Sequence, residues 1–174
     1  MGRIIRGVSQ GHLWGCFVLI LVLCGTQKQD FSRMIRAVEE IAQDEKIIVQ
    51  AGHSDYDSDQ MEIFDFISSD ELARLYAQAD YVVTHGGAGS MFQAVKAEKK
   101  TLVFPRLQKY GEHVDDHQLQ LAHKLESLGY LMVFNDGDMM TDVFDKLKNF
   151  KMKTYDLKGE LENLIDKQLA DLFG

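Results

Sequence analysis

A glycine-rich loop carries the clearest potential for chemistry in this sequence. It joins a short apolar run to an amphipathic stretch and consists of His85, Gly86, Gly87, Ala88, Gly89 and Ser90. Glycines let the backbone approach a ligand closely, and the first amides of a following helix carry unpaired N–H groups at the positive end of its dipole. A diphosphate suits such a place, with His85 donating a hydrogen bond or charge and Ser90 its hydroxyl. A tight turn with a serine N-cap explains the loop equally well.

A second candidate group combines acidic, histidine and glutamine side chains. It contains Glu112, His113, Asp115, Asp116, His117 and Gln118. An acidic helix cap followed by a solvated first turn accounts for this spacing without any ligand. Thr26 and Gln27 follow the first apolar run, where they either line the same ligand or begin a helix.

Composition excludes several other kinds of site. The 174 residues carry a net charge of −8 and are 45% hydrophobic, which predicts one globular domain and argues against a nucleic-acid partner. An acidic protein must bind an anion through local donors, because its overall field opposes binding. Cys16 and Cys24 fit reduced thiols. The alternating polar residues of segment 53–59 lack the glycine and glutamate of a calcium loop, so we expect no metal.

Apolar runs alternating with amphipathic stretches predict the elements that position these residues. We expect strands at 19–24, 47–51, 81–84, 101–104 and 130–134, with a short extended segment at 62–67. We expect helices at 30–43, from Ser68 onward through a capping box, and at 90–97, 115–128, 141–149 and 157–173. The pattern predicts an α/β fold with a single Rossmann-like, doubly wound parallel sheet. Ligands bind such sheets at the carboxyl ends of the strands.

The beginning of the chain allows two interpretations. Arg3 and Arg6 precede the apolar run 16–24, as in a signal peptide. The run is too short for a membrane-spanning helix and also suits a buried first strand that ends at a glycine turn. We favour the strand, which leaves residues 1–17 as an N-terminal extension.

Several motifs together resemble the C-terminal domain of family 28 glycosyltransferases. They are Thr84 to Ser90, then Pro105-Arg106, then Gly111 to Gln118, and near the start Gly25-Thr26-Gln27 with Phe31, Arg33 and Met34. Similar members include bacterial exopolysaccharide and capsule glycosyltransferase subunits, and the cytosolic catalytic subunit of the two-subunit transferase that adds N-acetylglucosamine to dolichol-diphosphate-N-acetylglucosamine. The resemblance implies the donor-binding C-terminal lobe of a GT-B glycosyltransferase. Residues 18–174 would form this UDP-sugar-binding domain, with a C-terminal helix from about 157.

The resemblance also implies which residues bind the donor. They are Thr26, His85, Gly86, Gly87, Ala88, Gly89, Ser90, Gln93, Glu112, Asp116, His117 and Gln118. The glycine loop and Ser90 would hold the diphosphate, and Asp116-His117-Gln118 would contact the sugar. Many relatives place a glutamate on the ribose where Gln93 stands, so a charge-assisted contact is lost. The catalytic residue stays unknown, and the resemblance implies no metal and no cofactor besides the UDP-sugar substrate.

The implied reaction needs a second component. Transfer would invert the anomeric carbon and use an acceptor linked to a lipid diphosphate, in polysaccharide or glycolipid synthesis. Because 174 residues leave no room for an acceptor lobe, we expect a membrane-anchored partner subunit that recruits this cytoplasmic chain to the membrane. The leucine stripe of helix 157–173 would dock on that partner or pack on its own sheet. The alternatives are a non-catalytic UDP-sugar-binding or regulatory subunit and a two-lobed UDP-sugar epimerase.

Overall fold

The computed structural model describes residues 18–114 and 117–155, and in the tail residues 159, 161, 163, 164 and 167. The strands are β1 (Leu19–Leu23), β2 (Lys46–Gln50), β3 (Glu62–Phe64), β4 (Tyr81–Thr84), β5 (Lys100–Val103) and β6 (Met132–Val133). The helices are α1 (Ser32–Glu39), α2 (Ser69–Gln78), α3 (Ala88–Lys96), α4 (His117–Ser127) and α5 (Met140–Asn149), and a short 3-10 turn spans Gln108–Tyr110. Among these residues, no helix is long and apolar enough to cross a membrane.

The sheet has the topology of a doubly wound fold. Its six strands lie in the order β3-β2-β1-β4-β5-β6, and every neighbouring pair is parallel. The chain moves outward from β1 in one direction, then returns to begin β4 on its other side. In sheets of this kind, ligands bind at the carboxyl edge beside this reversal. We therefore expect a ligand site at the loops after β1 and β4.

Helices cover both faces of the sheet, as the alternation of side chains along the strands requires. In β1, Ile20 and Val22 face the core beneath α1 and α5, whereas Leu21 and Leu23 face α2. A third apolar cluster joins α3 and α4 to β5 and β6 and includes Leu161 of the tail. These buried contacts fix the strand ends that carry the loops.

The predicted α/β fold with one parallel sheet is confirmed, but several element ends differ from expectation. Helix α1 stops at Glu39, because the following amides bond to carbonyls three residues back and tighten the chain into turns. Helix α3 begins two residues before Ser90. Strand β6 is only Met132–Val133, since the Tyr130 amide bonds to Leu125 at the end of α4 instead of to a strand. The capping box of Ser68 and Glu71 is present as predicted.

The predicted tail helix is described only in part. Leu161 is fully buried and Leu164 half-buried against the α3–α4 cluster, so these two positions of the leucine stripe pack on their own domain. The stripe's remaining positions, Leu157, Ile165, Leu169 and Leu172, lie outside the described residues. The extension 1–17 also lies outside them.

Candidate functional site

The glycine loop leaves β4 at the carboxyl edge of the sheet and begins α3. Gly87 is the N-cap of α3, with φ −70° and ψ 130°, and it has no side chain with which to cap the first amides. The predicted serine N-cap is therefore wrong, because Ser90 lies inside the first turn. A Cβ placed on Gly89 would meet no atom within 4 Å. The helix start is consequently open to a ligand, and α3 directs its positive dipole end toward that space.

His85 lies inside the loop, between two glycines. A Cβ on Gly25 would come within 2.6 Å of the imidazole, and a Cβ on Gly87 within 2.4 Å of its Nε2. Gly25 also has φ +81°, a left-handed conformation that favours glycine. The two glycines therefore make the space that lets the ring connect the loop after β1 with the loop after β4.

The same burial removes the charge that the sequence suggested for His85. Burial lowers its pKa to about 4, opposed by the bond to the Leu23 carbonyl and reinforced by nearby Arg106 and His113. Nδ1 lies 3.2 Å from the Leu23 carbonyl oxygen, which only accepts, so Nδ1 carries the proton and Nε2 is a hydrogen-bond acceptor. The expectation that His85 donates a charge to a diphosphate is corrected, because the ring is neutral at physiological pH.

Gln118 connects α4 to the glycine loop. A Cβ on Gly86 would lie 3.3 Å from Gln118 Cβ and Oε1, so the amide packs directly on the loop. Gln118 Nε2 lies 3.1 Å from His113 Nε2. Its Oε1 is buried without a hydrogen-bond partner among the described residues, and a buried acceptor in this state has the capacity to bind a ligand donor. Of the predicted sugar contacts, Gln118 is thus brought to the loop.

Glu112 is occupied by contacts within the protein. Its Oε1 accepts a hydrogen bond from Arg33 Nε at 2.7 Å, and its Oε2 accepts from Arg33 Nη2 at 2.7 Å and from the Leu107 amide at 3.0 Å. The carboxylate is 4% exposed. Both oxygens thus hold the loop before α4 against α1, and a role of Glu112 in donor binding stays a prediction.

A cavity of about 350 Å³ opens between the loop after β1 and the segment before α4. Thr26, Gln27, Lys28 and Gln29 form one wall, and His113 and Val114 form the other. His85 joins the first wall to the glycine loop through Gly25, and Gln118 joins the second through Gly86. The predicted residue Thr26 is exposed at this cavity, and its role in donor binding stays a prediction.

Sequence reasoning missed residues that hold the cavity walls. Gln50, at the end of β2, accepts a hydrogen bond from the Gly25 amide and donates to the carbonyls of Gly25 and Asp65. Arg106 is 2% exposed and bonds to three loop carbonyls. A glutamine directly after the apolar run Ile47–Val49 was the available signal for Gln50. Arg106 gave a weaker signal as a charged residue directly after the only proline.

The remaining predicted site residues lie around the same edge or outside the description. Gly86 is buried, Ala88 and Ser90 are half-buried, and Gln93 is exposed on the first two turns of α3. His117 begins α4, and Asp116 lies outside the described residues. Within the described ranges, no group of three or more histidine, cysteine, aspartate or glutamate side chains has the geometry of a metal site.

Comparison with curated proteins identifies relatives that are named for the transfer of N-acetylglucosamine. The chain is 27% identical over 110 residues to the UDP-N-acetylglucosamine--N-acetylmuramyl-(pentapeptide) pyrophosphoryl-undecaprenol N-acetylglucosamine transferase of Clostridium botulinum, covering 63% of this chain and 30% of that protein. It is 23% identical over 120 residues to the UDP-N-acetylglucosamine transferase subunit ALG13 of Candida glabrata, covering 68% and 57%. This chain therefore spans only part of the length of these relatives.

Solved structures share the fold at low sequence identity. The solution structure of ALG13 matches with a TM-score of 0.58 and 17% identity, covering 84% of this chain and 92% of that one. MurG of Acinetobacter baumannii matches with a TM-score of 0.53 and 20% identity, covering 74% and 41%. The fold is thus that of GT-B C-terminal domains. The family profile for the glycosyltransferase family 28 C-terminal domain matches residues 19–172, and the chain therefore belongs to that family.

Proposed function

We propose that this chain binds a UDP-sugar and forms the donor-binding half of a glycosyltransferase. The observation that carries the proposal is the open start of α3 at the carboxyl edge of the central strands, where Gly87 has no capping side chain and Gly89 faces free space. A diphosphate supplies the anionic oxygens that unpaired helix amides need. Family membership supports a nucleotide-sugar as the source of that diphosphate.

We further propose N-acetylglucosamine as the sugar. Both curated relatives described above are named for UDP-N-acetylglucosamine or for transfer of its sugar. The unpartnered Gln118 Oε1 beside the glycine loop is suited to accept a hydrogen bond from a sugar hydroxyl or an acetamido N–H. Galactose, glucose and glucuronic acid are the competing sugars in the test below.

The acceptor half is proposed to lie on a membrane-anchored partner. Two relatives of this chain are named as subunits of a UDP-N-acetylglucosamine transferase, and the bacterial relative acts on a pyrophosphoryl-undecaprenol compound by name. By analogy, the acceptor here is a lipid-diphosphate-linked sugar, and the partner recruits the chain to the cytosolic membrane face. The transfer is proposed to invert the anomeric carbon without a metal ion, with the helix dipole and loop amides stabilising the departing diphosphate.

Calorimetric titration of UDP-sugars against the purified chain tests donor binding. We expect UDP-N-acetylglucosamine to bind more tightly than UDP-galactose, UDP-glucose or UDP-glucuronic acid. Gly89→Ala is the diagnostic variant, since its Cβ meets no neighbouring side chain or loop within 4 Å and adds a methyl group in the first turn of α3, where the diphosphate is proposed to bind. We expect a roughly tenfold or greater loss of UDP affinity, which is ~1.4 kcal/mol, with no loss of melting temperature. Gln120→Ala, on an exposed face of α4, is the matched control.

Radiolabelled transfer to membranes distinguishes an enzyme from a regulator. The chain is incubated with labelled UDP-N-acetylglucosamine and membranes with or without the expressed partner, and lipid-linked product is counted. Product that requires the partner supports the proposal. Tight UDP binding with no product under either condition favours the non-catalytic regulatory subunit, an alternative that the exposed Gln93 in place of a glutamate keeps open. Absence of UDP binding rejects both.

A further inference from the structure

A buried guanidinium lies directly behind the cavity. Arg106 follows β5 and is 2% exposed. Its Nη1 donates to the Gln29 carbonyl at 2.9 Å and to the Glu112 carbonyl at 3.1 Å, and its Nη2 donates to the Cys24 carbonyl at 3.0 Å. The guanidinium carbon also lies 4.3 Å from the centroid of the Phe31 ring. These partners are all uncharged, so they do not neutralise its charge, and its Nε is buried without a hydrogen-bond partner among the described residues.

The ionisable groups around Arg106 compensate that charge only in part. Burial raises the pKa of the Cys24 thiol to about 12, so the thiol is protonated at neutral pH. The Glu112 carboxylate is ion-paired with Arg33, which offsets part of its attraction for Arg106. Asp30 is exposed and bonds to the amide and hydroxyl of Ser32. Burial outweighs the attraction of Glu112 and Asp30 and lowers the pKa of Arg106, but an arginine begins so far above neutrality that it stays charged.

The guanidinium bonds to the backbone of both walls of the cavity. Gln29, whose carbonyl it binds, lines one wall, and His113, which follows the bound carbonyl of Glu112, lines the other. Lys28 is a second cation at this cavity, but it is exposed, and water and salt screen its charge. The imidazole of His85 is neutral. Among the described residues, Arg106 is thus the buried, only partly compensated positive charge next to the cavity.

We propose that Arg106 is an electrostatic positioning residue for the diphosphate of the donor. It holds the two cavity walls through three carbonyls and, from behind them, supplies the local positive potential that an acidic chain of net charge −8 needs to bind an anion. The inference rests on the proposed function, because it assigns the residue a ligand that the site must bind. It attributes anion affinity to a residue that does not itself line the cavity.

Ligands of different charge separate this role from a structural one. UDP and uridine are titrated against the wild-type chain, Arg106→Gln, Arg106→Lys and the control Lys146→Gln, which removes an exposed charge from α5. UDP is measured by calorimetry and the weaker uridine by NMR chemical-shift titration. We expect Arg106→Gln to lower the ratio of UDP to uridine affinity by roughly tenfold, whereas Arg106→Lys and Lys146→Gln keep the wild-type ratio.

The outcomes separate the inference from the proposed function. An equal loss of UDP and uridine affinity in Arg106→Gln overturns the electrostatic role while leaving the function intact. A wild-type chain that binds neither ligand sinks the proposed function and the inference with it. If circular dichroism finds Arg106→Gln unfolded, Arg106→Lys decides. A preserved affinity ratio then supports the role of the charge, and a tenfold fall in that ratio refutes it.

Discussion

Replacing His85 with asparagine isolates the proton linkage that burial of the imidazole creates. The ring has a pKa of about 4 in the folded protein because burial disfavours the charged form, and an unfolded histidine has a pKa of about 6.5. Between these values the unfolded chain binds more protons than the folded one, so stability falls as the pH decreases. Asparagine keeps a side-chain N–H near Nδ1 that can donate to the Leu23 carbonyl, but it does not titrate.

The size of the effect follows from the two pKa values. A gap of about 2.5 units corresponds to about 3 kcal/mol when complete, below pH 4, and to about 2 kcal/mol at pH 5. Urea unfolding at pH 7.5, 6 and 5, followed by circular dichroism, gives the free energy of unfolding for each protein. We expect the wild-type protein to lose about 2 kcal/mol more than His85→Asn between pH 7.5 and pH 5.

The other five histidines are common to both proteins, so their contributions cancel in the difference. Equal losses for the wild-type protein and His85→Asn would refute the assignment of His85 as a buried neutral imidazole. The His85 ring would then be solvated, and a protonated His85 that contacts the diphosphate directly would again explain anion binding.

Three further substitutions test the packing around the cavity by urea unfolding at pH 7.5. Gly87→Ala puts a Cβ 2.4 Å from Nε2 of the buried His85 ring and should cost about 1–3 kcal/mol. Gly89→Ala should not destabilise the protein, and equal effects of the two substitutions would contradict the enclosed ring. Glu112→Ala leaves Arg33, whose side chain is 25% exposed, without its ion-pair partner, and should lower the free energy of unfolding by about 3 kcal/mol. Glu62→Ala breaks a more exposed pair and should cost less than about 1 kcal/mol; similar costs would refute the stabilising role of the buried Arg33–Glu112 pair. Ser68→Ala removes the capping box of α2 and should cost about 1 kcal/mol, and an unchanged midpoint would argue against that cap.

Local patterns were enough to predict the sheet and the place of the site. The apolar runs of β1, β2, β4 and β5 and the alternation with helices are short-range features, and the glycine loop is recognisable from its own residues. The carboxyl edge then followed from topology. The element ends were less predictable, as at β6, where the backbone of Tyr130 is taken by α4.

Contacts between distant segments could not be predicted from the pattern. Glu112 is an acidic residue within a recognised motif, and only the fold brings Arg33 of α1 within 2.7 Å of it. Histidine is a residue type that can bind phosphate. The pKa of His85 nevertheless depends on its burial, for which two glycines leave the space. Arg106 likewise gains its importance from carbonyls on the loop after β1 and on the segment before α4.

The strand order has a consequence for how the protein acquires its site. The cavity and the glycine loop depend on β1 lying next to β4, although α1, β2, β3 and α2 intervene in the chain. Parallel strands so far apart pair only after a long loop has closed, a slow and entropically costly event. Partly folded chains should therefore lack nucleotide affinity altogether, and a nucleotide added during refolding should stabilise only molecules whose central strands have already paired.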